Sequence, residues 1–340
     1  MKARTTDPHS VRCMSAESDR KVNIRPATVS DAEGIVALYR SVGWPASLEG
    51  VTKILGEYAK TNYILTLVAE VGGRVIGKVT LDVVYPPYAE IVNLVVHPNY
   101  RRQSIGSLLI QECVRRAVER GFNVLYLMAD LSNRKLVKFY AEHGFLPGII
   151  GKDSWLYRFE KGSFVKAFLD EHPFHEFRLA KSRVSFHGLD VYCMKWRDLL
   201  TEDILRVYLK GQPGQPEKGG TMPRICGVSA RWGSKYLEAW IEENEVYARN
   251  LRFRLCLLNS GTSDFTLKIR RLRAPGLSVV PAPPNEVTLV SGEETSLEFT
   301  LITRPHFNVP LMYLTFPTVV ESFALVSGKL RAIISAGFNI

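Results

Sequence analysis

Residues 89–110, AEIVNLVVHPNYRRQSIGSLLI, constrain the fold more than any other stretch of this chain. Ile91, Val92, Leu94, Val95 and Val96 form a mostly apolar, β-branched run, as a buried strand requires. His97-Pro98 breaks that run, and Arg101-Arg102-Gln103-Ser104 then precedes an apolar helical period. A loop of this kind presents successive backbone N–H groups at a helix N-terminus, where four donors lack intrahelical partners and the dipole is positive. Two arginines beside it favour a phosphate or pyrophosphate. Taken alone, the stretch reads equally well as an ordinary strand-loop-helix connection with solvated arginines.

The surrounding pattern places this stretch inside a larger unit. Residues 22–26 form a short strand closed by proline, and Thr28 and Ser30-Asp31 offer N-caps to a helix carrying Ile35, Leu38 and Tyr39 on one face. Gly43-Trp44-Pro45 stops it. A second helix follows Ser47, using Leu48, Val51, Ile54, Leu55 and Tyr58. Two β-rich runs, 63–71 and 74–84, meet across Gly72-Gly73, a strong two-residue hairpin signal. Tyr85-Pro86-Pro87-Tyr88 then turns the chain into the opening stretch. Beyond the basic loop, Ile105, Leu108, Leu109, Cys113 and Ala117 recur at helical spacing opposite Glu112, Arg115, Arg116, Glu119 and Arg120, with Gly121 as C-cap. Residues 124–129 make another buried strand, 133–144 a helix ended by Gly144, and further strands run to about Arg158. The order β-α-α-β-β-β-α-β-α-β is that of a mixed α/β domain.

Residues 22–160 resemble the GNAT superfamily of N-acetyltransferases in three segments. Arg101-x-x-Ser104-x-Gly106 is similar to the pyrophosphate motif Q/R-x-x-G-x-G/A, Asn133…Phe139-Tyr140…Gly144-Phe145 resembles the second cofactor motif, and the element order is that of the family. The resemblance implies acetyl-CoA as co-substrate and a primary amine as acceptor, attacked directly in a ternary complex. It implies that backbone N–H groups of Leu94, Val95 and Val96 bind the thioester carbonyl and pantetheine arm. Arg101, Arg102, Gln103, Ser104, Ile105, Gly106 and Ser107 would hold the pyrophosphate. Asn133 would orient the pantetheine, or serve only as a helix N-cap. Tyr140 stands at the general-acid position and Glu90 at that of a base acting through water, with Asp82 and His97 as lesser candidates. A phenol with pKa near 10 can protonate a departing thiolate, and a partly buried strand glutamate can have a raised pKa. Ser104 departs from the pattern: glycine suits a loop that needs φ > 0 and close backbone approach to phosphate. A catalytically idle, CoA-binding sensor or scaffold is the alternative that this residue keeps open. Acceptor specificity is expected from residues 45–60 and 82–90.

Beyond residue 160 the character changes. Residues 163–175 are mixed; 177–179, 184–186 and 189–192 read as short strands, 201–209 as a helix, and 211–220 as a flexible Gly/Pro-rich loop. From about Tyr247, alternation dominates at 251–255, 265–269 and 297–301, with turns at 259–261, 281–284 and 291–292. This rhythm gives the expectation of a mainly-β, immunoglobulin-like sandwich over 161–340 that binds substrate or partner, or forms a homodimer. Residues 1–21 are expected to be a flexible tail.

Composition narrows the function class. The net charge of +10 divides evenly between 1–160 and 161–340 without a Lys/Arg block, which weighs against a nucleic-acid surface and favours an acidic cofactor. No apolar run approaches a membrane span, and the first twenty residues lack a secretory core. Five scattered cysteines without C-x-x-C point to reduced thiols in the cytoplasm and to no metal. His172-Pro-Phe-His175 has no thiol or carboxylate at matching spacing and reads as solvated loop histidines.

Overall fold

The computed structural model describes residues 21–60, 64–85, 88–151, 153–212, 221–247, 250–272, 277–303, 318–327 and 329–338. The expected tail, the Pro86-Pro87 turn and most of the 211–220 loop lie outside these residues. The first unit contains β1 (Asn23–Pro26), α1 (Ala32–Ser41), α2 (Leu48–Tyr58), β2 (Ile64–Val71), β3 (Arg74–Tyr85), β4 (Tyr88–Val96), α3 (Ile105–Glu119), β5 (Val124–Ala129), α4 (Arg134–Glu142), β6 (Leu146–Ile149) and β7 (Ser154–Phe159). Its sheet has the order β1-β2-β3-β4-β5-β7-β6, antiparallel throughout except for the parallel β4–β5 pair joined through α3. That is the mixed sheet the sequence pattern implies.

Local chemistry accounts for the elements. Ser47 Oγ accepts from the Gly50 N–H at 3.1 Å and starts α2. Gly72 and Gly73 have φ of 55° and 78°, the double reversal that a tight hairpin between right-twisted strands needs. α3 buries Ile105, Leu109, Ile110, Cys113 and Ala117 against Leu67, Ala69 and Leu81 on one face of the sheet. α1 and α2 bury Ile35, Leu38 and Leu55 against Val68, Val75 and Val95 on the other.

The rest of that second face is covered by the C-terminal region. Here lie α5 (Phe164–Glu171), β8 (His175–Leu179), β9 (Val184–Phe186), β10 (Leu189–Asp198), β11 (Ile204–Gln212), β12 (Thr221–Trp232), β13 (Lys235–Tyr247), β14 (Asn250–Asn259), β15 (Phe265–Leu272), β16 (Leu277–Val280), β17 (Glu286–Leu289), β18 (Glu294–Thr303), β19 (Thr318–Ser327) and β20 (Leu330–Phe338). They form a nine-stranded sheet, β16-β18-β14-β13-β12-β11-β10-β8 with β9 on β10, and a four-stranded sheet, β17-β15-β19-β20, that packs on it through β20. The region is mainly β, and nothing in this order singles out the immunoglobulin arrangement.

Tyr88, Tyr126, Ile149, Trp155 and Tyr157 of the first sheet share one continuous hydrophobic core with Trp196, Leu205, Leu209, Ile225 and Val228. The Ile225 N–H donates to Tyr88 Oη at 3.2 Å, and Tyr192 Oη donates to the Ile150 carbonyl at 3.3 Å. The boundary drawn at residue 160 therefore separates two β systems that fold around common side chains.

Three expectations need correction. Residues 204–209 are strand, not helix: Leu205, Val207 and Leu209 face the shared core while Tyr208 packs on Phe186. With Tyr208 covered on the opposite face, only Arg206 interrupts the apolar residues of 204–209, and a run of this kind mimics a helix. Residues 163–175 contain α5, started by Ser163 Oγ accepting from the Lys166 N–H at 3.1 Å. His172 is not solvated. It is 4% exposed, with Nε2 3.0 Å from Asp203 Oδ2 and Nδ1 2.8 Å from the Phe168 carbonyl.

Candidate active site

The site begins with a bulge. Asn93 has φ of 54°, and the β3–β4 register passes from Thr80↔Val92 to Lys78↔Val95, so β4 carries one extra residue there. The bulge bends β4. Its parallel pairing with β5 is confined to Tyr88↔Val124, Ala89↔Leu125 and Glu90↔Tyr126. Past Glu90 the two strands part, which takes the backbone of Leu94, Val95 and Val96 out of the ladder with β5.

A cavity of about 630 Å³ occupies this part of the molecule, a volume typical of small-molecule sites. Leu94, Val95 and Val96 line it from β4. Tyr100, Arg101, Arg102, Ser104, Ile105, Gly106 and Ser107 line it from the loop and α3, Leu136 and Phe139 from α4, and Val42 and Trp44 from the segment after α1. Arg102 and Ser104 have φ of 63° and 60°. Such reversals turn successive N–H groups into an anion-binding concavity. Ser104 is the N-cap of α3 but makes no side-chain cap, which leaves the first-turn donors to another acceptor. Arg101 Nε donates to the Val96 carbonyl at 3.2 Å and ties the loop to the strand. A Cβ on Gly106 would stand 3.4 Å from the Phe139 ring and 3.9 Å from Val96 Cγ2, so any larger side chain would fill the groove. Uncapped donors, two exposed arginines and an apolar wall fit a pyrophosphate carried on a long, partly apolar arm.

The αL backbone of Ser104 costs a β-carbon-bearing residue about 1 kcal/mol. Ser104→Gly is accordingly expected to keep or tighten acetyl-CoA affinity and to raise the thermal midpoint by about 2 °C. Calorimetric titration and thermal unfolding check this. A loss of affinity would instead assign the binding to the hydroxyl.

Other expected site residues stand elsewhere. Gln103 turns back, its Nε2 donating to the Asn99 carbonyl at 3.4 Å, and does not line the cavity. Asn133 Oδ1 accepts from the Leu136 N–H at 3.2 Å and caps α4. His97 Nδ1 accepts from the Asn99 N–H at 3.2 Å at the end of β4. Burial, then Arg74 and Arg101, holds its pKa below the usual histidine value. Tyr140 is 8% exposed and packs between Phe139 and Phe145, with ring centroids 5.2 and 5.9 Å away. Burial pushes its phenol up to about 12. Its neighbour Phe139 is the one that lines the cavity. Glu90 lies half-buried on β4, directly across from Asp82 on β3, and burial followed by the Asp82 charge raises its carboxyl to about 8.

The sequence reading missed Val42, Trp44, Tyr100 and Leu136 as lining residues. Leu136 stands one helical turn before Phe139, a spacing that could have disclosed it. The aromatics Trp44 and Tyr100 read as a helix stop and a loop residue, and carry no comparable signal.

Residues 35–145 match the acetyltransferase (GNAT) family. Beyond that GNAT segment, the C-terminal region matches no family model. The chain is 29% identical over 153 residues to an amino-acid acetyltransferase of Shewanella oneidensis, covering 42% of this chain and 32% of that protein. It is 31% identical over 84 residues to an uncharacterized N-acetyltransferase of Methanocaldococcus jannaschii, covering 23% and 37%. The chain thus spans about a third of the length of these curated relatives. A PaiA N-acetyltransferase from Thermoplasma acidophilum, solved in complex with coenzyme A, aligns over 41% of this chain and 99% of its own at 22% identity and a TM-score of 0.36. Among the described residues, no group of three or more His, Cys, Asp or Glu could hold a metal ion, and Cys113, Cys193, Cys226 and Cys256 are buried free thiols. No described helix is long and apolar enough to cross a membrane.

Proposed function

We propose that the chain transfers an acetyl group from acetyl-CoA to a primary amine by direct attack in a ternary complex. The observation that carries this reading is the parting of β4 from β5 immediately beside an uncapped, arginine-flanked helix start. Acetyl-CoA, when bound, supplies an activated thioester. The chain's own groups do the rest. Arg101, Arg102 and the loop N–H groups hold the pyrophosphate. The freed backbone of Leu94, Val95 and Val96 offers donors to the thioester carbonyl, where charge develops. Glu90 removes the acceptor's proton through water. Tyr140, kept neutral by burial, returns a proton to the departing sulfur.

Tyr140→Phe is expected to lower turnover about 10²-fold with little change in acetyl-CoA affinity. Release of CoA, followed with a thiol reagent against amines, polyamines and peptides, measures it. Equal turnover of variant and parent across the pH range would remove Tyr140 from the acid role.

A second reading, a catalytically idle CoA-binding sensor or scaffold, is favoured by the packed Tyr140 ring and by Ser104 in place of the motif glycine. Binding of acetyl-CoA with no acceptor-dependent CoA release would select it. For the two C-terminal sheets, substrate binding, partner binding and dimerisation are the roles proposed; a sandwich, immunoglobulin-like or other, does not choose among them.

A further inference from the structure

A polar row crosses four neighbouring strands on the sheet face opposite α3. Asp82 of β3 pairs with Glu90 of β4, Glu90 with Tyr126 of β5, and Tyr126 with Tyr157 of β7. Side chains of directly paired residues project from the same face, so two carboxylates are followed by two phenols. Tyr126 and Tyr157 are fully buried, and their hydroxyls meet no hydrogen-bond partner among the described residues. A buried hydroxyl left unpaired costs free energy, so two in one row are not explained by stability. Tyr126 faces the carboxylates: its phenol is raised well above its ordinary value by burial and then by Glu90 and Asp82.

The row is sealed at its phenol end and less deeply buried at its carboxylate end. At the phenol end the C-terminal region seals it. A Cβ on Gly148 would meet the Tyr157 ring at 2.6 Å and Leu209 at 2.7 Å, and Tyr88, two residues before Glu90, is bonded to the backbone of Ile225. At the carboxylate end Asp82 and Glu90 are half-buried rather than sealed, and Tyr58 of α2 stands near Asp82.

We propose that this row is the acceptor pocket, and that it selects a primary alkylammonium with no carboxylate next to its nitrogen. The Asp82 carboxylate attracts the ammonium and repels an adjacent carboxylate, and Glu90 beside it accepts from an ammonium N–H. Tyr126 and Tyr157 present phenol oxygens as hydrogen-bond acceptors to its N–H groups, and β11 and β12 act as the floor. The assignment rests on the transferase reading above and names the substrate class of that site.

The test is calorimetric titration of the full chain, saturated with CoA, with pentylamine and with norleucine, the same amine bearing an α-carboxylate. Pentylamine is expected to bind about tenfold or more tightly than norleucine. Tyr126→Phe and Tyr157→Phe are each expected to weaken pentylamine severalfold, to leave CoA affinity unchanged, and not to lower the thermal midpoint, because no protein partner is lost. Equal binding of the two amines, or unchanged pentylamine affinity in both variants, would overturn the assignment. Binding with this pattern, but without acetyl transfer, would leave the pocket standing and remove the transferase reading. Acetyl transfer to norleucine as fast as to pentylamine would do the reverse.

Discussion

Replacing Glu90 with glutamine is expected to lower turnover about 10²–10³-fold while leaving acetyl-CoA affinity essentially intact. Glutamine keeps the shape of the side chain and its place opposite Asp82 and Tyr126, but cannot accept the acceptor's proton. The pH dependence fixes the interpretation. Burial and the Asp82 charge raise the Glu90 carboxyl to about 8, so it is protonated below that pH and inactive as a base. Parent kcat/KM should therefore rise through pH 8 and level off above it, and the Glu90→Gln profile should lack that limb. Steady-state rates from pH 6 to 9.5 decide the matter; these bounds span about 1.5–2 units either side of the expected transition. A parent profile flat across that range would exclude Glu90 as the base.

Gly148→Ala is expected to destabilise the whole chain, not the C-terminal region alone. The added methyl would stand 2.6 Å from the Tyr157 ring and 2.7 Å from Leu209, both in the shared core. Neither can retreat, since Tyr157 and Leu209 are fully buried. Overpacking of this kind costs about 2 kcal/mol, which for a 340-residue chain unfolding as one unit lowers the thermal midpoint by roughly 3 °C. One cooperative transition that moves as a unit is expected in differential scanning calorimetry. Two transitions, only one of them shifted, would show that the first sheet and the C-terminal sheets fold independently.

What the sequence disclosed follows from how each element is covered. α1, α2 and α3 each bury one stripe and leave the other wet, so their periods and caps are plain in the residue pattern. The first unit was legible for that reason. β11 was not, because Leu205, Val207 and Leu209 face the shared core while Ile204 and Tyr208 put apolar side chains on the other face, which leaves only Arg206 and Lys210 to mark the alternation. β12 and β13 are hidden in the same way: Ile225, Val228 and Ala239 face the core while Cys226 and Trp240 fill the cluster around Phe186.

At the site, Arg101, Arg102 and Ser104 were legible as a loop departing from glycine, and the αL backbone of Ser104 is the physical content of that departure. Asn133 illustrates the opposite case, since a helix cap and a ligand-orienting amide look identical in sequence. Tyr126 and Tyr157 carried no signal at all. A tyrosine in an apolar strand reads as core, and only the cross-strand register aligns both with Glu90 and Asp82.

Titrating acetyl-CoA into the parent chain and into the Arg101→Glu/Arg102→Glu variant, at low and at high salt, is the most direct measurement of all. The loop at 101–107 as the pyrophosphate site predicts that the variant binds about tenfold or more weakly, with a shallower dependence on salt. Equal affinity and equal salt dependence in the two proteins would contradict it, and with it the assignment of the cavity beside β4 to acetyl-CoA.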